Sequence, residues 1–334
     1  MSQFPMYPLR FGPIYEYRLW GGRRFATLLS EPLPGDGPIG EAWILSDRDD
    51  HMSHVTNGPF RGRSLGEMRQ EFPGELMGEL AHHFPRFPLL LKFLDCHEML
   101  SVQVHPTAAN MNLVPAGETP KTEAWVVLEA GTKSRIYAGL KPGTNADNLR
   151  RAVASGQVED CLAYFTPKPG DAAFIPAGTV HTLGDDVMVF EIQQNSDVTF
   201  RLYDWGHVDA KTGQPRPLQT ERALACIDFS EPVAGLVAPV VEEAGSVKRE
   251  RLFQCEHFRL WRLSGQSAFP VGAAGVPRVL VPIEGAGRIE HGGATYVAGK
   301  GDVWLLPAAV GACTLRPLGM VSVLEIALPE SPEA

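Results

Sequence analysis

The chain has 334 residues, 44% hydrophobic and 21% charged, with a formal net charge of -9. That length buries a core large enough for two domains, and the ordinary composition disfavours disorder except at the ends. The acidic balance disfavours a polyanion-binding surface, and no apolar run approaches the roughly 20 residues that a membrane helix needs. Residues 1–10 lack the charged start and apolar stretch of a signal peptide. The five cysteines (Cys96, Cys161, Cys226, Cys255, Cys313) are scattered and form no CxxC, as expected of buried thiols in a reducing compartment. A cytoplasmic protein without nucleic-acid or membrane partners is therefore expected. With 34 Gly and 28 Pro, many turns and short strands are expected.

Tyr15 to Trp20 alternates like a strand and runs into a Gly21-Gly22 turn. Leu29 to Ile39 reads as a loop, Gly40 to Ser46 as a second strand and His54 to Thr56 as a third. Ser64 and Glu67 have the spacing of a helical capping box, which starts a helix with Leu65 and Met68 inward. A further short helix is expected around Glu75 to His83. Leu89 to Leu94 is a continuous apolar run, the mark of a buried strand. Ser101-Val102-Gln103-Val104-His105-Pro106 follows. Side chains alternate across a strand, so Gln103 and His105 share one face while Val102 and Val104 take the other. Two side chains able to coordinate a metal then lie where apolar groups are expected. On their own they read equally as a satisfied core histidine beside a buried amide.

Lys121 to Glu129 predicts another strand, with Lys121, Glu123, Trp125 and Val127 on one face. A carboxylate on that bulky face is costly to bury unless it is paired or holds a metal. Asn145 to Tyr164 shows helical spacing and predicts two short helices. Gly170-Asp171 is a turn before a strand that delivers His181. Val187 to Gln194 and Thr199 to Tyr203 read as strands, and a helix is expected from Thr220, ending near Asp228. Ser230 to Ser246, rich in Val, Ala, Pro and Glu, reads as a linker. Beyond it, short strands recur from Phe258 to Ile326 in the pattern of a barrel or sandwich.

Gly301-Asp302-Val303-Trp304-Leu305-Leu306-Pro307-Ala308 repeats the pattern of Gly170-Asp171-Ala172-Ala173-Phe174-Ile175-Pro176-Ala177. A repeat at this distance predicts two copies of one β-fold. In the second copy Ala312 stands where the first has His181, so that copy is expected to lack a metal.

Gly170, Pro176, Gly178 and His181 match the second half of the cupin motif, with Asp185 in place of its usual final Asn. More closely, the chain resembles the short bacterial type I mannose-6-phosphate isomerases (phosphomannose isomerases). The matching stretches are Leu19 to Gly22, Gly40 to Trp43, Leu100 to Pro106, Lys121 to Glu123, Pro176 to His181, Glu191 to Asp197 and Arg201 to Trp205. They span most of the first 230 residues. The resemblance implies a mainly β protein built of two cupin-like (jelly-roll) β-barrels, with a few short helices inserted in the N-terminal part. Residues 1–235 would form the metal-binding catalytic domain, and 236–334 a degenerate second cupin-like domain. It implies metal ligation by Gln103, His105, Glu123 and His181, one Zn2+ per chain, and an active-site arginine at Arg201. The implied reaction interconverts mannose 6-phosphate and fructose 6-phosphate through an enediol(ate). Lys121, on the strand face of Glu123, is expected to ground a phosphate or hydroxyl or to act as acid or base. Glu191, Asp197 and His207 are weaker acid/base candidates. His207 departs from the family pattern, where Arg is usual. Two His and one carboxylate also describe a non-haem iron cupin oxygenase, and a non-catalytic sugar-binding cupin would share the fold. Oligomeric state is not legible.

Overall fold

The computed structural model describes residues 5–209, 212–230 and 234–329. The fold is mainly β, with four large antiparallel sheets. Two sheets from the N-terminal part pack together. One runs Leu162–Phe165, Arg135–Leu140, His181–Gly184, Val102–Val104, Phe200–Tyr203; the other runs Ala172–Ile175, Glu123–Ala130, Val187–Gln194, Leu89–Cys96, Ile14–Gly22, Ile39–Leu45. A second pair, of seven and four strands, is built mostly from residues 240–327. Leu9–Phe11 joins that later pair by pairing with Val303–Leu306, so the N-terminus is stitched into the C-terminal sheet. One apolar cluster unites Phe93, Phe190 and Ile192 of the first part with Leu260, Leu305 and Ile326 of the second.

The repeat holds at the level of single hydrogen bonds. Asp171 Oδ2 accepts from the Lys168 amide at 2.8 Å, and Asp302 Oδ2 accepts from the Gly299 amide at 2.8 Å. Gly170 and Gly301 sit at φ +89° and +84°, a left-handed conformation that favours glycine. Both turns then launch a short strand that ends at a Pro. The Ser64 capping box is present and opens the helix Leu65–Glu71. Thr220–Cys226 is the expected later helix.

Four expectations are corrected. The strand Ile14–Gly22 runs through Gly21 and Gly22 without turning there. A Cβ on Gly21 would lie 2.4 Å from the Gly40 backbone nitrogen and one on Gly22 2.6 Å from Asp95 Oδ2, so both glycines make room for close packing within the fold. The helix expected over 75–83 divides at Gly78 into the α-helix Pro73–Met77 and the 3-10 helix Gly78–His82. Of the two helices expected in 145–164, Ala146–Ser155 forms, and Gly156 caps it in the left-handed conformation. The second is only a 3-10 turn, Val158–Cys161, followed by the strand Leu162–Phe165. The linker also carries structure. Leu236 bridges to Ala173, and Val240–Glu243 is an edge strand against Val247–Gln254. Residues 231–233 of that stretch lie outside the described residues.

Candidate metal centre and substrate cavity

The strand register places the polar residues in rows. Gln103 stands directly opposite His181 on one side and Arg201 on the other. Residues directly opposite in neighbouring strands share a face, so these three line the inner surface of the five-stranded sheet. In the facing sheet, Glu123 pairs with Gln193, and the row Trp125, Glu191, Lys92, Trp43 runs beside it. The two sheets thus present polar rows to a shared interior.

His105, Glu123 and His181 meet there, each at most 1% exposed, with ligand atoms within 4.8 Å of one another. The Nδ1 of His105 lies 2.9 Å from the Val198 carbonyl, and that of His181 lies 2.8 Å from the Thr179 carbonyl. A carbonyl only accepts, so each Nδ1 carries a proton and Nε2 is the atom left to ligate. Those two Nε2 atoms sit 3.1 and 3.2 Å from the carboxylate oxygens of Glu123. Burial, with the nearby Lys121 charge, pushes the His105 pKa down to about 3, so its Nε2 brings no proton to the carboxylate. Burial works against the Glu123 charge, but the Lys121 ammonium outweighs it and holds the carboxyl well below the usual carboxylate range. His105 Nε2 is buried without a hydrogen-bond partner, and apart from the two imidazoles the Glu123 carboxylate has beside it only the Lys121 ammonium, on the Oε2 side, among the described residues. Such convergent acceptors are costly unless a cation sits among them. The donor set of nitrogen and oxygen suits a divalent transition metal.

The Gln103 amide lies 3.3 Å from His181 Nε2. Exchanging the ends of the amide, a free choice in assigning such groups, would turn Oε1 to the same cluster. Of the four residues expected to ligate, the structure brings three into one buried group and leaves Gln103 at its edge.

A cavity of about 410 Å³ opens beside the cluster. Gln103, Lys121, Glu191, Asp197 and Arg201 line it, as do Arg18, Glu41, Lys92 and Arg216. The Lys121 ammonium lies 3.0 Å from Glu123. Burial opposes its charge, but Glu123, Glu191 and Asp197 outweigh that and raise its pKa. Glu191 is raised in turn, by burial and by the Glu123 charge, and accepts a 3.0 Å hydrogen bond from Trp125 Nε1. His207 is not among the lining residues; it lies 3.5 Å from Glu98 and 3.7 Å from Asp204.

Lys92 was missed from sequence. It is 3% exposed, lies over the Trp43 ring at 4.3 Å, and approaches Glu41 at 3.6 Å, Asp197 at 3.8 Å and Glu191 at 3.9 Å. The available signal was a charge in the middle of the apolar run Leu89 to Leu94. Lys92→Met should destabilise the protein by about 3–5 kcal/mol at neutral pH, the usual cost of stripping the partner from buried charges. The effect should depend on pH. Burial works against the Glu41 charge, but Lys92 and Arg18 bring its pKa down to about 2 from 4.5. Stability from such a group is present above pH 4.5 and is lost as pH falls toward 2. Denaturant titrations of both proteins should therefore converge across that window, and a constant difference would contradict the account.

A profile of the type I phosphomannose isomerase catalytic domain matches residues 9–134. The mannose-6-phosphate isomerase ManA of Bacillus subtilis (strain 168) is 34% identical over 320 residues, covering 92% of this chain and 96% of its own. The chain belongs to the type I phosphomannose isomerase family. Mannose-6-phosphate isomerase of Streptococcus mutans is 32% identical over 296 residues, covering 88% of this chain and 90% of that one. Among phosphomannose isomerases of known structure, the mannose 6-phosphate isomerase from Bacillus subtilis superposes with a TM-score of 0.89. It shares 28% identity and covers 97% of this chain and 100% of its own. A variant of the phosphomannose isomerase from Salmonella typhimurium, 17% identical, shares the fold with a TM-score of 0.77 over 97% of this chain and 100% of that one.

Proposed function

We propose that this isomerase interconverts mannose 6-phosphate and fructose 6-phosphate, with one zinc ion held by His105, Glu123, His181 and Gln103. The observation that carries this is the buried convergence of two imidazoles on the Glu123 carboxylate, beside a cavity lined by Lys121, Glu191 and Arg201. Bound there, a divalent ion would act as a Lewis acid, stabilising negative charge on the sugar oxygens as an enediolate forms. Zinc brings no redox chemistry to the site.

The protein groups divide the remaining work. Aldose–ketose exchange takes a proton from C2 and returns one to C1. Glu191 is buried at the cavity wall with a raised pKa, the tuning expected of a carboxylate that must both accept and release a proton. Lys121, held as an ammonium, donates a hydrogen bond to a substrate oxygen. Arg201 offers a planar fork of donors for a developing oxyanion or a phosphate. Residues 1–235 would carry all of this, and 236–334 would serve as a metal-free second copy.

Two imidazoles and one carboxylate are also the donor set of an iron oxygenase. One assay separates the readings: mannose 6-phosphate supplied and fructose 6-phosphate detected, with and without chelator, alongside an oxygen electrode. Isomerisation should fall at least about 100-fold after chelation, return with zinc, and consume no oxygen. Chelator-insensitive turnover, or oxygen uptake without isomerisation, would sink the proposal. No helix among the described residues is long and apolar enough to cross a membrane, and a cytoplasmic location is part of the same reading.

A further inference from the structure

Three arginines line the cavity, and their partners differ. Arg18 is neutralised locally by Glu41, at 2.9 and 3.0 Å, and by Glu16 at 3.3 Å. Arg216 binds Asp204 through Nε at 2.9 Å and Nη2 at 2.5 Å, leaving Nη1 without a hydrogen bond among the described residues. Arg201 has no carboxylate within 4.0 Å among the described residues. Its Nη1 donates to the Pro217 carbonyl at 3.0 Å, and its Nε is buried without a partner. Burial, and then the neighbouring charge of Arg216, press against its positive charge; Asp204 favours it and Arg18 opposes it.

The chain fixes this crowding in place. Gln219 is strapped to Arg201 by two bonds, Arg201 amide to Gln219 Oε1 at 2.9 Å and Gln219 amide to Arg201 carbonyl at 2.8 Å. The segment carrying Arg216 and Pro217 is thus tied alongside the strand carrying Arg201. Asp204 offsets the Arg216 charge from one side, which leaves Arg216 Nη1 and the Arg201 guanidinium as unused donors at the cavity wall. Planar donors of this kind match the phosphate monoester of the substrate better than its uncharged sugar ring. His207 takes no part, because it is turned onto Glu98 and Asp204.

We propose that Arg216 is a specificity-determining residue, which with Arg201 grips the phosphate monoester of the substrate and so sets the preference for a phosphorylated over a free sugar. Asp204 acts as its positioning residue, fixing the guanidinium through two bonds while Nη1 remains for the ligand. This rests on the isomerase reading above, and the test keeps the two separable. Metal-loaded wild type, Arg216→Met and Arg216→Lys are titrated calorimetrically with fructose 6-phosphate, fructose and inorganic phosphate, and each is assayed with mannose 6-phosphate. Wild type should bind fructose 6-phosphate at least about 100-fold more tightly than fructose, and inorganic phosphate should compete with it. Arg216→Met should weaken fructose 6-phosphate and inorganic phosphate by about 30-fold each, with metal content retained and most of the kinetic loss in KM. Arg216→Lys keeps a charge beside Asp204 but loses the planar fork; it should lose about 5- to 10-fold, and it decides the matter if the Met variant does not fold. Unchanged phosphate affinity in the folded variants, or inorganic phosphate binding without competing with fructose 6-phosphate, would overturn the assignment. A wild type that binds fructose 6-phosphate but does not isomerise mannose 6-phosphate would instead overturn the isomerase reading alone.

Discussion

His181→Ala is expected to lose metal and turnover together. The side chain is wholly buried, and its position is set from both ends: Nδ1 by the Thr179 carbonyl at 2.8 Å, Nε2 by Glu123 Oε1 at 3.2 Å. Removing a direct ligand should cost more than the roughly 10–100-fold typical of changes to the groups behind ligands. The expected result is a purified variant with substoichiometric metal and activity down at least about 1000-fold. The ring also packs against Trp125 at 5.5 Å and His105 at 4.8 Å, so a packing loss is expected as well. Thermal unfolding of chelated samples separates the two effects. Without metal, wild type and variant should differ only by the packing loss; with zinc, only wild type should gain stability, because a ligand that binds the native state stabilises it. A metal-replete, active His181→Ala protein would sink the ligand assignment.

The part of this site that was legible in sequence lies on strands or within two residues of their ends. Gln103 and His105 are two residues apart, as are Lys121 and Glu123, and period-two alternation alone puts each pair on one face. His181 was legible through the Gly170 turn, whose hydrogen-bond pattern recurs at Gly301. What alternation cannot supply is the register between strands, which brings Gln103 opposite both His181 and Arg201. Lys92 was passed over because six of the eight residues in its strand are apolar and fit a buried strand, and its carboxylate partners come from three other segments. Arg216 had no local signal. It follows a two-residue strand, and only the tertiary strap through Pro217 and Gln219 brings it to Arg201. The misread helix after Gly156 has a similar origin. Apolar residues at helical spacing there are buried instead by the strand Leu162–Phe165, paired with Arg135–Leu140.

Arg201→Ala should separate catalysis from metal binding. The side chain hydrogen-bonds to the Pro217 carbonyl and lies opposite Gln103, but it forms no contact with the imidazoles or carboxylate that would hold the ion. Metal content should therefore stay near one per chain. The kcat/KM with mannose 6-phosphate should fall by about 100- to 1000-fold, about 2.7–4 kcal/mol, the scale for removing one partner of a buried charge pair at a bound anion. Arg201→Lys should recover little of it. An ammonium cannot reproduce the planar fork, and a shorter reach would forfeit the Pro217 bond that aims the group. Stability is the informative control. Burial and the charges of Arg216 and Arg18 oppose the Arg201 cation more than Asp204 favours it, so removing it should leave the stability of the folded protein little changed. A large loss of activity with stability retained is the signature of a residue held against its own preference for the sake of the reaction. An Arg201→Ala protein with wild-type turnover would remove it from the active site. One that loses its metal as well would place it among the groups that build the centre.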